Sequence, residues 1–352
     1  MKRAIRNTQA RSSRSKAAKD VIIREIPAIL KANPRARRGV EAAELIVDPA
    51  SLPAAPSAPP VSATQTQDAP SHPTKHNAAP TPSPPTITLR TTSTLEAAHR
   101  LLTHQPSSTP STPNHHRHRP PKVAILNMAS PLRPGGGVLS GAASQEEWLC
   151  ARTTLYPSLR EEFYRLPEVG GIFTPDVLVF RHWDDSATEL PKAGRFYVDV
   201  VSAGMLRFPD LEQGGEDGGE ERVYAEQKDR EMVVRKIRAV LRIMTAKGAE
   251  RVVLGAWGCG AYGNPVGEVA GAWRRVLLGK KERGRGSGAL GAGAESWEGL
   301  EVVFAIKDVR MAERFAAAFG PGIDMEKVAP GDGHASDAEE ESQEEDESGS
   351  DD

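Results

Sequence analysis

The chain has 352 residues, with 45 Lys and Arg against 47 Asp and Glu and a formal net charge of -2. Its 28 prolines and 32 glycines cluster in a few stretches, which leaves core-forming sequence for one domain of ordinary size. Two cysteines, Cys150 and Cys259, exclude a disulfide framework and fit a reducing compartment, and no apolar run approaches the roughly 18 residues that a membrane-spanning helix needs.

Residues 1–15 are predicted to be a basic disordered arm. Lys and Arg dominate from Met1 to Arg38, opposed only by Asp20 and Glu25. A solvated terminus, an arm touching nucleic acid and an organelle-targeting peptide all fit that composition. The helical pattern from Ala17 to Leu30 argues against the last. Val21, Ile22, Ile26, Ile29 and Leu30 fall at helical spacing within Lys16 to Lys31, and Pro27 should kink or split that helix. Gly39 to Val47 forms a second short element whose type the pattern leaves open. Residues 49–85 are rich in Pro, Ala, Ser and Thr and cannot bury enough surface to fold, so disorder is predicted.

Thr86 to Leu89 reads as a strand, followed by a helix capped by Ser93 or Thr94 and running to Leu102. A second low-complexity insert covers 104–121 and holds His115, His116 and His118. These lack acidic companions or a second cluster, so no metal site is expected from them. Val123 to Met128 is a short apolar run of the kind buried in a sheet. A triple glycine follows, Gly135 to Gly137, then Gln145-Glu146-Glu147 and a helical pattern from Leu149 to Phe163. Further strands are predicted at Asp176 to Phe180, Phe196 to Val201, Arg251 to Trp257 and Glu301 to Ile306. Helices are predicted at Val223 to Ala246, from Gly263 or Asn264 to Leu278, and at Ala312 to Phe319. A third insert covers 280–299, and 321–352 is predicted to be an acidic disordered tail that repels polyanions. The composition gives no strong sign of nucleic-acid binding.

Strands alternating with helices predict a layered α/β domain, with ligands at the carboxyl ends of its strands. Two strands run into glycine-rich loops, Gly135 to Gly137 and Gly255 to Gly263, which could grip the two sides of one diphosphate. Neither loop fits the P-loop or the dinucleotide fingerprint. The tetrapeptide Ser144-Gln145-Glu146-Glu147 has two readings. It matches a helix capping box, with Glu147 reaching back to the N-cap. It also places two carboxylates beside an anion-binding loop, where acid/base chemistry would be useful.

The stretch LNMASPLRPGGGVLSGAASQEEWLCARTTLYPSL, Leu126 to Leu159, resembles the microbial-type poly(ADP-ribose) glycohydrolase family. Asp176 to Asp185, Val252 to Ala270 and Val302 to Asp308 extend the resemblance. It departs at Val201 to Pro209, where the family more often shows an Ala-Pro-Asn-like run. The resemblance implies a three-layer α/β/α macrodomain-like fold with a mixed central sheet and an added N-terminal helical segment, spanning residues 16–320 around the three inserts. It implies hydrolysis of the ribose–ribose O-glycosidic bond to release ADP-ribose, without a cofactor or metal. Glu147 would be the general acid/base and Glu146 would hold the ribose hydroxyls. Gly135, Gly136 and Gly137 would wrap the diphosphate together with Gly258, Gly260 and Tyr262. Asn127 would touch the distal ribose, and Gln145 belongs to the same binding set.

Glycosidases commonly flank the bond with two carboxylates roughly 5–9 Å apart. Sequence neighbours on a helix point about 100° apart, so Glu146 and Glu147 should divide the work, and proton transfer would require a raised pKa at Glu147. Two other readings stay open: a non-catalytic ADP-ribose reader, and a scaffold with a vestigial domain. The expected partner is poly(ADP-ribose) or an ADP-ribosylated protein, the expected state a monomer, and the expected location the nucleus or cytoplasm. Tyr262 could equally be an ordinary loop aromatic. Cys259 is read as packing, because no histidine partner is placed for it; Trp257 and Trp273 are read as core.

Overall fold

The computed structural model describes residues 2–49, 84–104, 121–214, 221–279, 295 and 297–326, with side chains from Thr8 onward. The three inserts fall mostly outside these residues, as do His115, His116 and His118 and nearly all of the acidic tail.

An eight-stranded sheet forms the middle of the molecule. Its strands are β1 (Glu44–Val47), β2 (Thr86–Arg90), β3 (Val123–Met128), β4 (Gly170–Val179), β5 (Phe196–Ala203), β8 (Arg251–Leu254), β9 (Glu301–Ala305) and β10 (Asp324–Glu326). A small separate hairpin pairs β6 (Leu211–Gln213) with β7 (Arg222–Tyr224). The order in the sheet is β1-β4-β5-β3-β8-β9-β2-β10. Pairing is parallel from β5 through β10 and antiparallel at β1–β4 and β4–β5. The sheet is therefore mixed.

The helices are α1 (Lys2–Asp20), α2 (Ile26–Ala32), α3 (Pro34–Glu41), α4 (Thr94–Thr103), α5 (Gln145–Cys150), α6 (Gln227–Ala246), α7 (Val266–Leu278) and α8 (Val309–Phe319). Successive strand side chains point to opposite faces, and β3 shows the consequence. Ala124 and Leu126 join a core with α6, α7 and α8, including Val240, Trp273 and Phe315. Val123 and Ile125 join the opposite core with Leu95, Leu101 and Leu149 of α4 and α5. Strands covered on both faces carry continuous apolar runs, as β3, β8 and β9 do. The result is the three-layer α/β/α arrangement. Among the described residues no helix is long and apolar enough to cross a membrane.

Several local expectations are corrected. The basic start is helical, not a disordered arm. Arg11 Nε donates to Ser140 O (2.9 Å), Arg14 Nε to Gly141 O (3.0 Å) and Ser15 Oγ to Leu139 O (2.7 Å), so α1 is tied to the loop after the triple glycine. Pro27 does split the helix: a π-helical turn at Val21–Glu25 separates α1 from α2, and Pro27 sits in the first turn of α2. The helix expected to reach Phe163 stops at Cys150. Thr154 N–H instead donates to Leu178 O (3.0 Å), pulling the chain alongside β4, and Pro157 follows. Val223 lies in β7, and α6 begins only at Gln227. Two segments assigned to low complexity carry structure. Trp297 is buried and donates to Val276 O (2.8 Å), and β10 pairs with β2 beyond residue 321.

Candidate active site

The carboxyl ends of β2, β3, β8 and β9 open onto one cavity of about 900 Å³, within the size range of ligand pockets. Thr92, Ser93 and Thr94 line it after β2, and Ile306, Lys307 and Asp308 after β9. Gly136, Gly137 and the start of α5 line it after β3, and Gly258, Gly260 and Tyr262 after β8.

The triple-glycine loop wraps around the two carboxylates. Gly137 N–H donates to Glu147 Oε1 (2.7 Å) and Ser144 N–H to Glu147 Oε2 (3.0 Å), while the Ser144 hydroxyl makes a short hydrogen bond to that same Oε2. The capping box is thus present, but capping does not account for the Gly137 contact. Gly136 has φ +57°, and a Cβ there would lie 2.6 Å from Glu147 Oε1 and 2.8 Å from Glu146 Oε2. Only glycine lets the backbone pass so close to both. The two carboxylates therefore converge on one loop residue even though their side chains leave the helix in different directions.

Glu146 is 1% exposed. Its Oε2 accepts from Ser130 N–H (2.7 Å) and its Oε1 from Asn127 Nδ2 (3.4 Å). Burial pushes its pKa up to about 8, and the neighbouring charge of Glu147 adds to the shift, while the donors from Ser130, Asn127 and Gly135 oppose it. Of the two carboxylates, Glu146 is thus the one held in its protonated form to unusually high pH.

Two expected binding residues take other roles. Asn127 is fully buried: its Nδ2 also donates to Ser202 Oγ (3.0 Å), so it stands behind Glu146 and shows no surface to a ribose. Gln145 lines the cavity, yet its amide is engaged inside the protein. Nε2 donates to Leu126 O (2.8 Å) and Thr94 Oγ1 (3.2 Å), and Oε1 accepts from Met128 N–H (2.8 Å). Gln145 therefore pins α5 to β3. Gly135 lies behind the wall, its Cβ position 2.8 Å from the Tyr156 ring. Gly136, Gly137, Glu146, Glu147, Gly258, Gly260 and Tyr262 are brought together at the cavity.

Other lining residues carry no readable sequence signal. Arg11 arrives from α1, more than a hundred residues away, and Ser130 is visible only through its backbone bond to Glu146. Trp148 also lines the cavity, with the Arg152 guanidinium 4.4 Å from its ring centroid on α5. Trp257 and Trp273 are core residues, 1% and 0% exposed. Burial pushes the Cys259 thiol up to about 12, which fits packing and not a nucleophile. Among the described residues no group of His, Cys, Asp or Glu is placed to hold a metal ion.

Two carboxylates under a glycine loop, at the strand ends of a macrodomain-like sheet, point to one family. Residues 60–182 match the microbial-type PARG catalytic domain. In this segment the chain is similar to the microbial-type poly(ADP-ribose) glycohydrolases. The poly(ADP-ribose) glycohydrolase from Thermomonospora curvata aligns over 88% of this chain and 98% of its own, at 25% identity and a TM-score of 0.57. The same enzyme bound to the inhibitor ADP-HPD aligns over the same spans with a TM-score of 0.55. A glycohydrolase from Deinococcus radiodurans in complex with ADP-ribose covers 68% of this chain and 84% of its own, at 26% identity and a TM-score of 0.46. No curated protein matches the sequence. The likeness to the T. curvata enzyme runs through the fold, and the segment matched by the catalytic-domain family contains the triple glycine and both carboxylates.

Proposed function

We propose that this protein hydrolyses the ribose–ribose O-glycosidic bond of poly(ADP-ribose) and releases ADP-ribose. The observation that carries the reading is the convergence of Glu146 and Glu147 on Gly136, at the edge of a cavity with room for an ADP-ribose. The match to the catalytic domain and the likeness to the T. curvata enzyme support it.

In this reading the diphosphate lies against the Gly136–Gly137 and Gly258–Tyr262 loops, with Arg11, Arg133 and Lys307 around the cavity to balance its charge. The terminal ribose sits over the carboxylates. Glu147, the less buried of the two at 7% exposure, gives a proton to the departing ribose oxygen. The anomeric carbon takes on oxocarbenium character, stabilised by the nearby diphosphate. Glu147 then takes a proton from the attacking water. Glu146, held by Ser130 and Asn127, orients the ribose hydroxyls.

The upward pKa shift at Glu146 favours a second reading, in which Glu146 supplies the proton and Glu147 orients the sugar. Glu147→Gln and Glu146→Gln separate the two when ADP-ribose release and ADP-ribose binding are both measured. Removing the proton-transfer group should cost on the order of 10²–10⁴-fold in kcat while binding survives. Full activity in Glu147→Gln sinks the first assignment, and that result together with a binding-competent but inert Glu146→Gln supports the second. If wild type binds ADP-ribose but leaves the polymer intact, the protein is a reader.

A further inference from the structure

After β5 the chain runs Gly204-Met205-Leu206-Arg207-Phe208, within the stretch where the sequence departs from the family pattern. We propose that Arg207 and Phe208 form a subsite for the nucleotide on the leaving side of the scissile bond. The adenine of the next ADP-ribose unit would stack on Phe208, with its phosphates facing Arg207. The subsite presupposes polymer hydrolysis at the Glu146–Glu147 site.

Phe208 is 67% exposed and has φ +51°, a backbone conformation that bulky residues rarely adopt. It is held there. Phe208 N–H donates to Tyr262 O (3.0 Å), and the two rings meet edge to face at 6.2 Å. The Arg207 guanidinium lies 5.5 Å from the Phe208 ring centroid and 5.6 Å from that of Tyr262. Among the described residues no carboxylate is within ion-pair distance of Arg207, and it lines the cavity. The loop beneath is rigidly framed. Buried Lys236 Nζ donates to Gly204 O (3.1 Å), and Asn264 Nδ2 donates to Leu206 O (2.8 Å). An exposed aromatic beside a cation that has no acidic partner is the pairing with which surfaces hold single-stranded nucleotide chains.

The position fits the direction in which the polymer must leave. The cavity runs from the ends of β2 and β9 to the carboxylates at the end of β3. With the terminal ribose over Glu146 and Glu147, the rest of its ADP-ribose occupies the β8, β9 and β2 side. In the sheet, β5 flanks β3 on the opposite side. The loop after β5 reaches across to the β8 loop, where Phe208 N–H meets Tyr262 O and Asn264 meets Leu206 O, so Arg207 and Phe208 stand on the rim of the cavity beside Tyr262, in reach of a chain that continues beyond the cleaved bond.

The test compares the full-length wild type with Phe208→Ala, Phe208→Trp and Arg207→Gln. Three quantities are read: ADP-ribose affinity by calorimetry, kcat/KM on poly(ADP-ribose), and kcat/KM on an ADP-ribosyl glycoside with a small alcohol as leaving group. Phe208→Ala should lose about tenfold on the polymer, the scale of one base–aromatic stack. Its ADP-ribose affinity and its activity on the small glycoside should stay at the wild-type level. Phe208→Trp should restore polymer turnover. Arg207→Gln should raise the polymer KM about threefold, the scale of one exposed charge contact, and flatten its salt dependence. Undiminished polymer turnover in Phe208→Ala, or an equal loss on both substrates, overturns the subsite while hydrolysis stands. Absence of ADP-ribose release by the wild type overturns both.

Discussion

The two glycine-rich loops face the same cavity but use their glycines differently. In the first loop the glycines are crowded by the protein itself. Cβ positions at Gly135, Gly136 and Gly137 would lie 2.8 Å or less from Tyr156, from Glu147 and from Ala142. In the second loop Gly255 is crowded by Met128 and Gly258 by Asn264 and Met205, while Gly260 and Gly263 have nothing within 4 Å. The first loop is glycine-rich so that the backbone can fold over its own carboxylates. The second leaves space for something that is not protein. A glycine-rich loop is commonly read as a phosphate cradle, but only one of these two is open in that sense before a ligand arrives.

The largest effect should come from the first loop. Gly136→Ala places a methyl group against both carboxylates and holds a left-handed φ that alanine tolerates poorly. Backbone strain of this kind costs roughly 1–3 kcal/mol, and the displaced carboxylates should abolish turnover. Thermal melting without ligand and ADP-ribose release from the polymer should both drop. A Gly136→Ala protein with wild-type melting and turnover would show that the carboxylates have ample room to move.

Gly260→Ala sharpens the contrast. Its methyl group would enter open space, so melting should match the wild type, whereas ADP-ribose affinity should fall by about tenfold, equivalent to about 1.4 kcal/mol. A drop in melting temperature without a drop in affinity would remove the distinction between the loops.

How much of this was legible in the sequence follows from the range of the forces involved. The strands β3, β8 and β9 announced themselves as continuous apolar runs, because burial on both faces leaves no polar alternation. Glu147 was visible as a capping residue and as a catalytic candidate. The structure shows the cap, and the same carboxylate also accepts from Gly137 at the cavity, a contact that capping does not require. The helix expected beyond Cys150 was not legible as false. Its apolar spacing is real, but pairing of Thr154 with Leu178 of β4 overrides it. Asn127 and Gln145 were placed in the right neighbourhood and given the wrong task. Whether an amide faces a ligand or the strand behind it depends on long-range packing that no local pattern records. The order of α1 escaped for the same reason: its partners, Leu139, Ser140 and Gly141, lie more than a hundred residues away.

Glu146 offers a pH test of the first loop. Its folded pKa, about 8, lies above the ordinary value of 4.5. The folded state therefore binds this proton more tightly than the unfolded state. The associated stability is fully present below pH 4.5 and is lost as pH rises toward 8. Glu146→Gln mimics the protonated form, so it should melt close to the wild type at pH 4.5 and above it at pH 8.5. A gap in melting temperature that is constant across this range would mean that Glu146 does not titrate there.

The smallest expected effect concerns the clamp between α1 and the first loop. Ser15→Ala removes one hydrogen bond to Leu139 O, a contact of 2.7 Å at an exposed site. The loss should be about 0.5–1 kcal/mol, the lower part of the range for a single hydrogen bond. Its value lies in where the loss appears. The Leu139–Gly141 turn leads into Ser144 and hence into the donors around Glu147, and Gly141 packs so closely on Arg11 that a Cβ would lie 2.0 Å from its carbonyl oxygen. Hydrogen exchange should therefore quicken at residues 138–144 in Ser15→Ala and stay unchanged at Gly258–Gly263. Equal change in both loops would mean that they move as one unit, and the crowded loop would then be no more dependent on the protein's own packing than the open one.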